Sequence, residues 1–221
     1  MGIFFSIIEY IGVISFAVSA TLFALNKKTD IIGALLIAVL TCFGGGMLRD
    51  FVLGIVPPNL LSNPSFWVQE LVCIGVCALL FHISFFKGVW RIITKHQHDF
   101  WLELTDAIGL AVFVVIGVDY AIQSGYQHNT VLLIFCGCIT SVGGGMLRDV
   151  CTATIPRIFC KHVYLLPCIL GSAFYVFTKG ENVLGHFWST IITMTIIIVI
   201  RVLACLYKWN LPRPDLSRTD E

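Results

Sequence analysis

The heptapeptide GGGMLRD occurs twice in this chain of 221 residues, at Gly44–Asp50 and again at Gly143–Asp149. Both copies lie well inside long apolar runs. Two identical strings ninety-nine positions apart mark an internal duplication, and a duplication constrains architecture more tightly than any local propensity. The likeness reaches beyond the motif. Ile11, Gly12 and Phe16 align with Ile108, Gly109 and Phe113 at an offset of ninety-seven, and Thr41 and Pro57 align with Thr140 and Pro156 at ninety-nine. The slack falls in the loop between the paired helices, 26–30 against 123–129. Glu9 then faces Asp106, a carboxylate near the start of the first helix in each copy.

The solvent follows from composition. With 57% hydrophobic and 12% charged residues and a mean hydropathy of +0.90, the chain carries about half the usual 25% of charged residues. It is expected to be an all-α integral membrane protein. A spanning helix needs roughly 20 mainly apolar residues, and seven segments qualify: Ile3–Leu25, Ile31–Val56, Phe66–Phe86, Leu102–Ile122, Thr130–Ile155, Val163–Phe177 and Phe187–Tyr207. They form one transmembrane domain over 1–210. Repeat one covers about 3–86, repeat two about 101–178, and a seventh helix at 187–207 stands outside the duplication, before a tail at 211–221.

Three spans per repeat have a geometrical consequence. The second copy enters the membrane from the side opposite to the first, so the repeats are inverted. Inverted repeats are a recurring architecture of membrane transport proteins, with the substrate path near the midplane at the repeat interface. Lys and Arg set the orientation. Ten of them, among them Lys27, Lys28, Arg91, Arg157, Lys161, Lys208, Arg213 and Arg218, fall on one side and only Lys179 on the other. Positive loops stay inside, which puts the N-terminus outside and the C-terminus in the cytoplasm.

Catalysis is not expected. GGGMLRD lacks the G-x-x-x-x-G-K-[ST] pattern and the soluble strand and helix that a P-loop needs, and no triad, zinc or paired-carboxylate spacing occurs. The nine cysteines include no CxxC pair and read as small buried hydrophobes. No metal site is expected.

Three successive glycines cost about 1 kcal/mol each in helix stability relative to Ala, so the second and fifth spans are expected to bend or break at Gly44, Gly45 and Gly46 and at Gly143, Gly144 and Gly145. Broken backbone in lipid is tolerated only against protein or a watery cavity. The competing reading is close helix packing, which small residues also permit. The ionisable residues that follow point to a pathway, because such groups inside spans mark ion or substrate routes by default. Neighbours on a helix diverge by about 100°. Arg49 and Asp50, and Arg148 and Asp149, are therefore not expected to neutralise themselves. Reciprocal pairing across the repeats is expected, with Asp50, Asp149, Glu9 and Asp106 as the carboxylates. Thr41, Thr140, Ser141, Glu9, Asp106 and Asp119 are further candidates along an ion path. Arg201, in the last span, reads as snorkelling to the cytoplasmic surface.

The segments FAVSATLFALNKK, DIIGALLIAVLTCFGGGMLRDFVLGIVPP, DAIGLAVFVVIGV, ITSVGGGMLRDVCTATIPRIF and VYLLPCILGSAFY, spread over about residues 5–205, resemble the prokaryotic trimeric intracellular cation (TRIC) channel family. That family has also been labelled as glycine transporters. The resemblance implies a homotrimer of seven-helix protomers in the prokaryotic inner (cell) membrane, each with an hourglass pore lined by the second and fifth spans. It implies kinks at the two glycine triplets and pore charges at Arg49, Asp50, Arg148 and Asp149. The implied activity is passive conduction of potassium, with sodium also passing, without cofactor or nucleic acid and with membrane lipid as a partner. A glycine carrier is the alternative. The chain departs from the family pattern at Ala20, where Gly is usual, and at Glu9, where Asp is usual.

Overall fold

The computed structural model describes residues 3–87, 95–160, 163–180 and 185–209. Arg91, Lys161, Arg213, Arg218 and the tail 211–221 lie outside the described residues. Among the described residues every regular element is helical. Repeat one contributes α1 (Ile3–Asn26), α2 (Ile31–Val52), the one-turn α3 (Asn59–Ser62) and α4 (Pro64–Lys87). Repeat two contributes α5 (Lys95–Ala121), continued by a π-helical turn at Ile122–Tyr126, then α6 (Thr130–Cys151), the one-turn α7 (Arg157–Cys160) and α8 (Leu166–Gly180). The helix outside the duplication is α9 (His186–Leu206).

Six of these helices are long and apolar enough to cross a bilayer. The sixth expected span, Val163–Phe177, is instead the 15-residue α8. At 1.5 Å per residue it reaches about 22 Å, short of a hydrocarbon core of about 30 Å. Pro167 lies in the first turn of α8, where its missing N–H would have had no intrahelical partner.

The duplication is visible in the helix ends. The Asp30 carboxylate accepts from the Gly33 N–H at 2.7 Å, and the Asn129 side-chain Oδ1 from the Leu132 N–H at 3.1 Å, so aligned residues cap α2 and α6. Both helices also stop alike. Ile55 N–H donates to the Asp50 carbonyl and Thr154 N–H to the Asp149 carbonyl, each at 2.9 Å, closing Schellman turns. Gly54 (φ 70) and Ala153 (φ 51) take the left-handed position. The expected spans 31–56 and 130–155 were thus four residues too long: FVLGIV and VCTATI remain apolar after the helix has turned.

Two crossings bring the repeats together. At the first, α1 meets α5, the most enclosed of the six long helices, and the aligned rings of Phe16 and Phe113 stack at 5.1 Å with 15° between planes. Each ring lies over the other repeat's glycine: a Cβ at Gly109 would run into Phe16, and one at Gly12 into Val112 and Phe113. At the second, α2 and α6 cross antiparallel with their backbones in contact. A Cβ at Gly45 would strike the Thr140 carbonyl, and one at Gly144 the Thr41 carbonyl.

This second crossing corrects the expected interruption at the glycine triplets. Both helices remain α-helical through Gly44–Gly46 and Gly143–Gly145, and no triplet glycine has a positive φ. The opposing backbone fills the space that a side chain would take, so the middle glycines serve close approach. Gly46 and Gly145 differ. The nearest atoms to a Cβ there are the Arg49 guanidinium at 3.8 Å for Gly46, and the Tyr164 hydroxyl at 3.5 Å and the Arg148 guanidinium at 3.7 Å for Gly145.

A substitution pair separates these roles. Gly45→Ala forces α2 and α6 apart and is expected to cost about 1–3 kcal/mol, lowering the melting temperature of detergent-purified protein by roughly 2–12 °C. Gly46→Ala meets only ordinary van der Waals contact with Arg49 and gains helix propensity, so it is expected to hold or raise the melting temperature.

Candidate ion pathway at the repeat interface

The antiparallel crossing sends the C-terminal ends of α2 and α6, with their Arg-Asp pairs, to opposite ends of the protein. In repeat one, Arg49 donates from Nε and Nη2 to Asp50 Oδ1 at 2.9 and 2.6 Å. The second Asp50 oxygen accepts from the backbone N–H of Asn59, the first residue of α3, at 2.8 Å. Repeat two builds the same lock. Arg148 reaches Asp149 Oδ1 at 2.9 Å from Nε and 2.8 Å from Nη2, and Asp149 Oδ2 accepts from the N–H of Arg157 at 2.9 Å. All four side chains are buried.

The expected reciprocal pairing with the opposite repeat's carboxylates is therefore overturned. Cβ directions diverge between neighbours, but three methylenes let each guanidinium curl back to the next residue, and the helix end leaves the carboxylate free to turn towards the following short helix. What reaches across the repeats is aromatic. The Arg49 guanidinium lies 3.9 Å from the ring centre of Tyr120, on α5, and Arg148 lies 4.4 Å from that of Phe23, on α1. Phe23 and Tyr120 are ninety-seven positions apart. They are thus aligned partners, each supplying a π face to the other repeat's arginine. The offset was a readable signal, though nothing in either residue's type marked it.

Around the first lock, Glu9, Gln69, Gly46, Phe113 and Thr140 join Arg49 and Asp50 in lining a cavity of about 20 Å³, room for about one water-sized particle. Gln69 hydrogen-bonds Glu9. Around the second, a wider cavity of about 360 Å³ is lined by Phe23, Lys27, Glu103, Asp149 and Arg157 among others. The two share no lining residue.

The remaining candidates divide. Thr41 and Thr140 donate to their own helix, to the Ile37 and Cys136 carbonyls at 2.7 and 2.6 Å, and Ser141 donates to the Cys138 carbonyl at 2.9 Å, so the backbone takes these protons. Asp119 stands apart from both cavities. It is ion-paired to Lys179, accepts from the Tyr175 hydroxyl at 3.1 Å and lies 3.6 Å from His186 Nε2, tying α5 to α8 and α9. Asp106 accepts from the Tyr164 hydroxyl at 2.8 Å.

Arg201 does not snorkel. It is 2% exposed, donates to Glu103 at 2.9 Å, lies 3.6 Å from Asp106 and stacks 4.3 Å from the Tyr164 ring centre. Pairing a buried cation inside the protein replaces the lost solvation that a surface position would have kept. The interaction fastens α9 to α5. Arg157 joins the same cluster. Burial acts to lower its pKa, but Asp106, Glu103, Tyr164 and Asp149 outweigh that and hold it above its ordinary value, so it carries charge throughout the working pH range.

Removing one partner of a buried pair leaves an uncompensated charge. Asp149→Asn is expected to destabilise the protein by about 3–5 kcal/mol, read as a large fall in melting temperature. Asp119→Asn is expected to free α8 and α9 while leaving the α2–α6 crossing intact, which hydrogen exchange of the separate helices would resolve.

Comparison with known proteins agrees with this architecture. A family model described as "Glycine transporter" matches residues 6–84 and again 103–180, once per repeat. A UPF0126 membrane protein of Vibrio cholerae is 32% identical over 219 residues, covering 96% of this chain and 83% of that protein. The UPF0126 inner membrane protein YadS of Escherichia coli is 30% identical over 215 residues, covering 95% of each chain. Among solved structures, the TRIC trimeric intracellular cation channel orthologue from Rhodobacter sphaeroides superposes with a TM-score of 0.81 at 26% identity, covering 94% of this chain and all of that one. A prokaryotic TRIC channel in 0.5 M KCl also gives 0.81, at 27% identity, covering 96% of this chain and all of that one. This multi-pass membrane protein belongs to the UPF0126 family, the family of the glycine-transporter model and of the prokaryotic TRIC channels.

Proposed function

We propose that this protein is a passive monovalent cation channel, permeable to potassium and sodium, with one pore per protomer at the interface of its two inverted repeats. The observation that carries this reading is the pair of charged cavities at opposite ends of the α2–α6 crossing, each beside a buried Arg-Asp lock. Solved TRIC cation channels share the fold at 26–28% identity, which supports it. α8 acts as the remaining crossing, giving seven, and three protomers assemble as a homotrimer embedded in membrane lipid. The N-terminus faces outward and the C-terminus the cytoplasm of a prokaryotic inner membrane, so the small cavity opens outward and the wide one inward.

An unpaired guanidinium in a pore repels cations. Arg49 and Arg148 are each neutralised by an adjacent aspartate and seated on an aromatic ring, which leaves hydroxyls, carbonyls and carboxylates to face the ion. Conduction requires the crossing at Gly45 and Gly144 to widen, and movement of the arginines from their rings is the gating step. The glycine carrier remains the second reading, because the matching family model carries that description. A carrier would use the same inverted repeats for alternating access.

Planar-bilayer recording under a potassium chloride gradient separates the two. The channel reading expects discrete current steps reversing near the potassium equilibrium potential, with Arg148→Ala changing unit conductance or open probability. Silence of folded protein together with glycine counterflow in liposomes would establish the carrier instead.

A further inference from the structure

The pseudo-symmetry between the two charged ends of the α2–α6 crossing is broken at one position, and the break bears on where a cation rests. Glu9 and Asp106 are aligned, yet their surroundings differ in charge. Asp106 sits among three arginines, Arg148, Arg157 and Arg201, which match the three carboxylates Asp106, Asp149 and Glu103. Arg201 belongs to α9, which has no counterpart in the duplication. Among the described residues, Arg49 alone of the arginines acts on Glu9.

Around Glu9 the balance is one arginine against two carboxylates. Asp50 is fully used: one oxygen holds Arg49 and the other holds the Asn59 N–H. Arg49 is correspondingly held by Asp50 and stacked on Tyr120. Glu9 is 7% exposed, lines the small cavity and hydrogen-bonds Gln69, and among the described residues no cation lies within ion-pair distance of it. A buried carboxylate whose neighbouring arginine is already ion-paired to another carboxylate is costly to keep charged, and a bound cation offsets that cost. The cavity of about 20 Å³ admits one water-sized particle and also exposes Thr140 and Gly46.

We infer that Glu9, with Gln69 beside it, is the cation-binding carboxylate of this pathway and holds one largely dehydrated monovalent cation on the repeat-one side, while Arg201 cancels the matching site at Asp106. The site rests on the conduction reading for its role but not for its existence. Its consequence is an asymmetric pore, with a cation-selective constriction at one end and a charge-balanced vestibule at the other.

Two measurements on the full-length protein test this, one of them independent of conduction. In the first, reversal potentials under a potassium chloride gradient compare wild type, Glu9→Gln and Glu9→Asp. Glu9→Gln is expected to lower the potassium-to-chloride permeability ratio about tenfold, and Glu9→Asp to retain selectivity. In the second, the melting temperature in detergent is followed as potassium replaces N-methyl-D-glucamine at constant ionic strength. Potassium is expected to stabilise wild type and Glu9→Asp but not Glu9→Gln. A Glu9→Gln protein that melts like wild type in N-methyl-D-glucamine, yet keeps both the permeability ratio and the potassium shift, overturns the site. If wild type passes no current, the conduction reading fails and the melting series decides alone: a potassium shift that needs Glu9 upholds the site, and no shift overturns it.

Discussion

The backbone contact between α2 and α6 is the constraint on which the rest of this protein depends. It exists only because Gly45 and Gly144 present no side chain to the Thr140 and Thr41 carbonyls. With the helices so close, the residues one turn further on, Arg49 and Arg148, emerge at opposite ends of the crossing. There each meets the end of the other repeat's first helix, where Tyr120 and Phe23 wait. A wider crossing would draw the two arginines away from their aromatic seats.

The Arg-Asp locks are the second layer. Each aspartate divides its oxygens between its neighbouring arginine and the first amide of a one-turn helix, α3 or α7. Burying such a pair is weak evidence for stability by itself. Here its effect is positional: it closes the apolar turn that follows each long helix and fixes the guanidinium over its ring. The helix outside the duplication, α9, then departs from the symmetry. Through Arg201 it inserts a cation beside Asp106 and Glu103, so two halves built from one ancestral sequence carry different charge.

Much of this was legible from the repeated GGGMLRD, because a duplicated odd number of spans forces an inverted architecture whatever the side chains do. The glycine triplets, too, located the crossing, but hydropathy and propensity could not choose between a broken helix and a close approach. That choice depends on what the facing helix places opposite Gly45, a non-local fact. Helix ends were misjudged for a related reason. FVLGIV after Asp50 is as apolar as the helix before it, and the Schellman turn at Gly54 leaves no mark in hydropathy. The pairing of Arg49 with Asp50 failed to emerge from helix geometry because that geometry describes Cβ directions, whereas a long side chain at a helix end is not bound by them. Arg201 was misread because a lone arginine near a span end gives no sign of carboxylates such as Glu103, nearly a hundred residues away. Among the path candidates, Glu9 and Thr140 do line a cavity with Arg49 and Asp50, whereas Asp119 is engaged by Lys179, Tyr175 and His186.

The central claim is that ions pass at the α2–α6 crossing, beside the third glycine of each triplet. The most direct measurement is current through single-cysteine variants, in a background with the native cysteines replaced, during treatment with a positively charged thiol reagent. Gly46→Cys should be blocked from one side of the membrane and Gly145→Cys from the other. Gly75→Cys, on the exposed face of α4 with open space around it, should be unaffected. Insensitivity of both triplet variants in a conducting protein, or block through Gly75→Cys in their place, would put the pathway elsewhere and contradict the account.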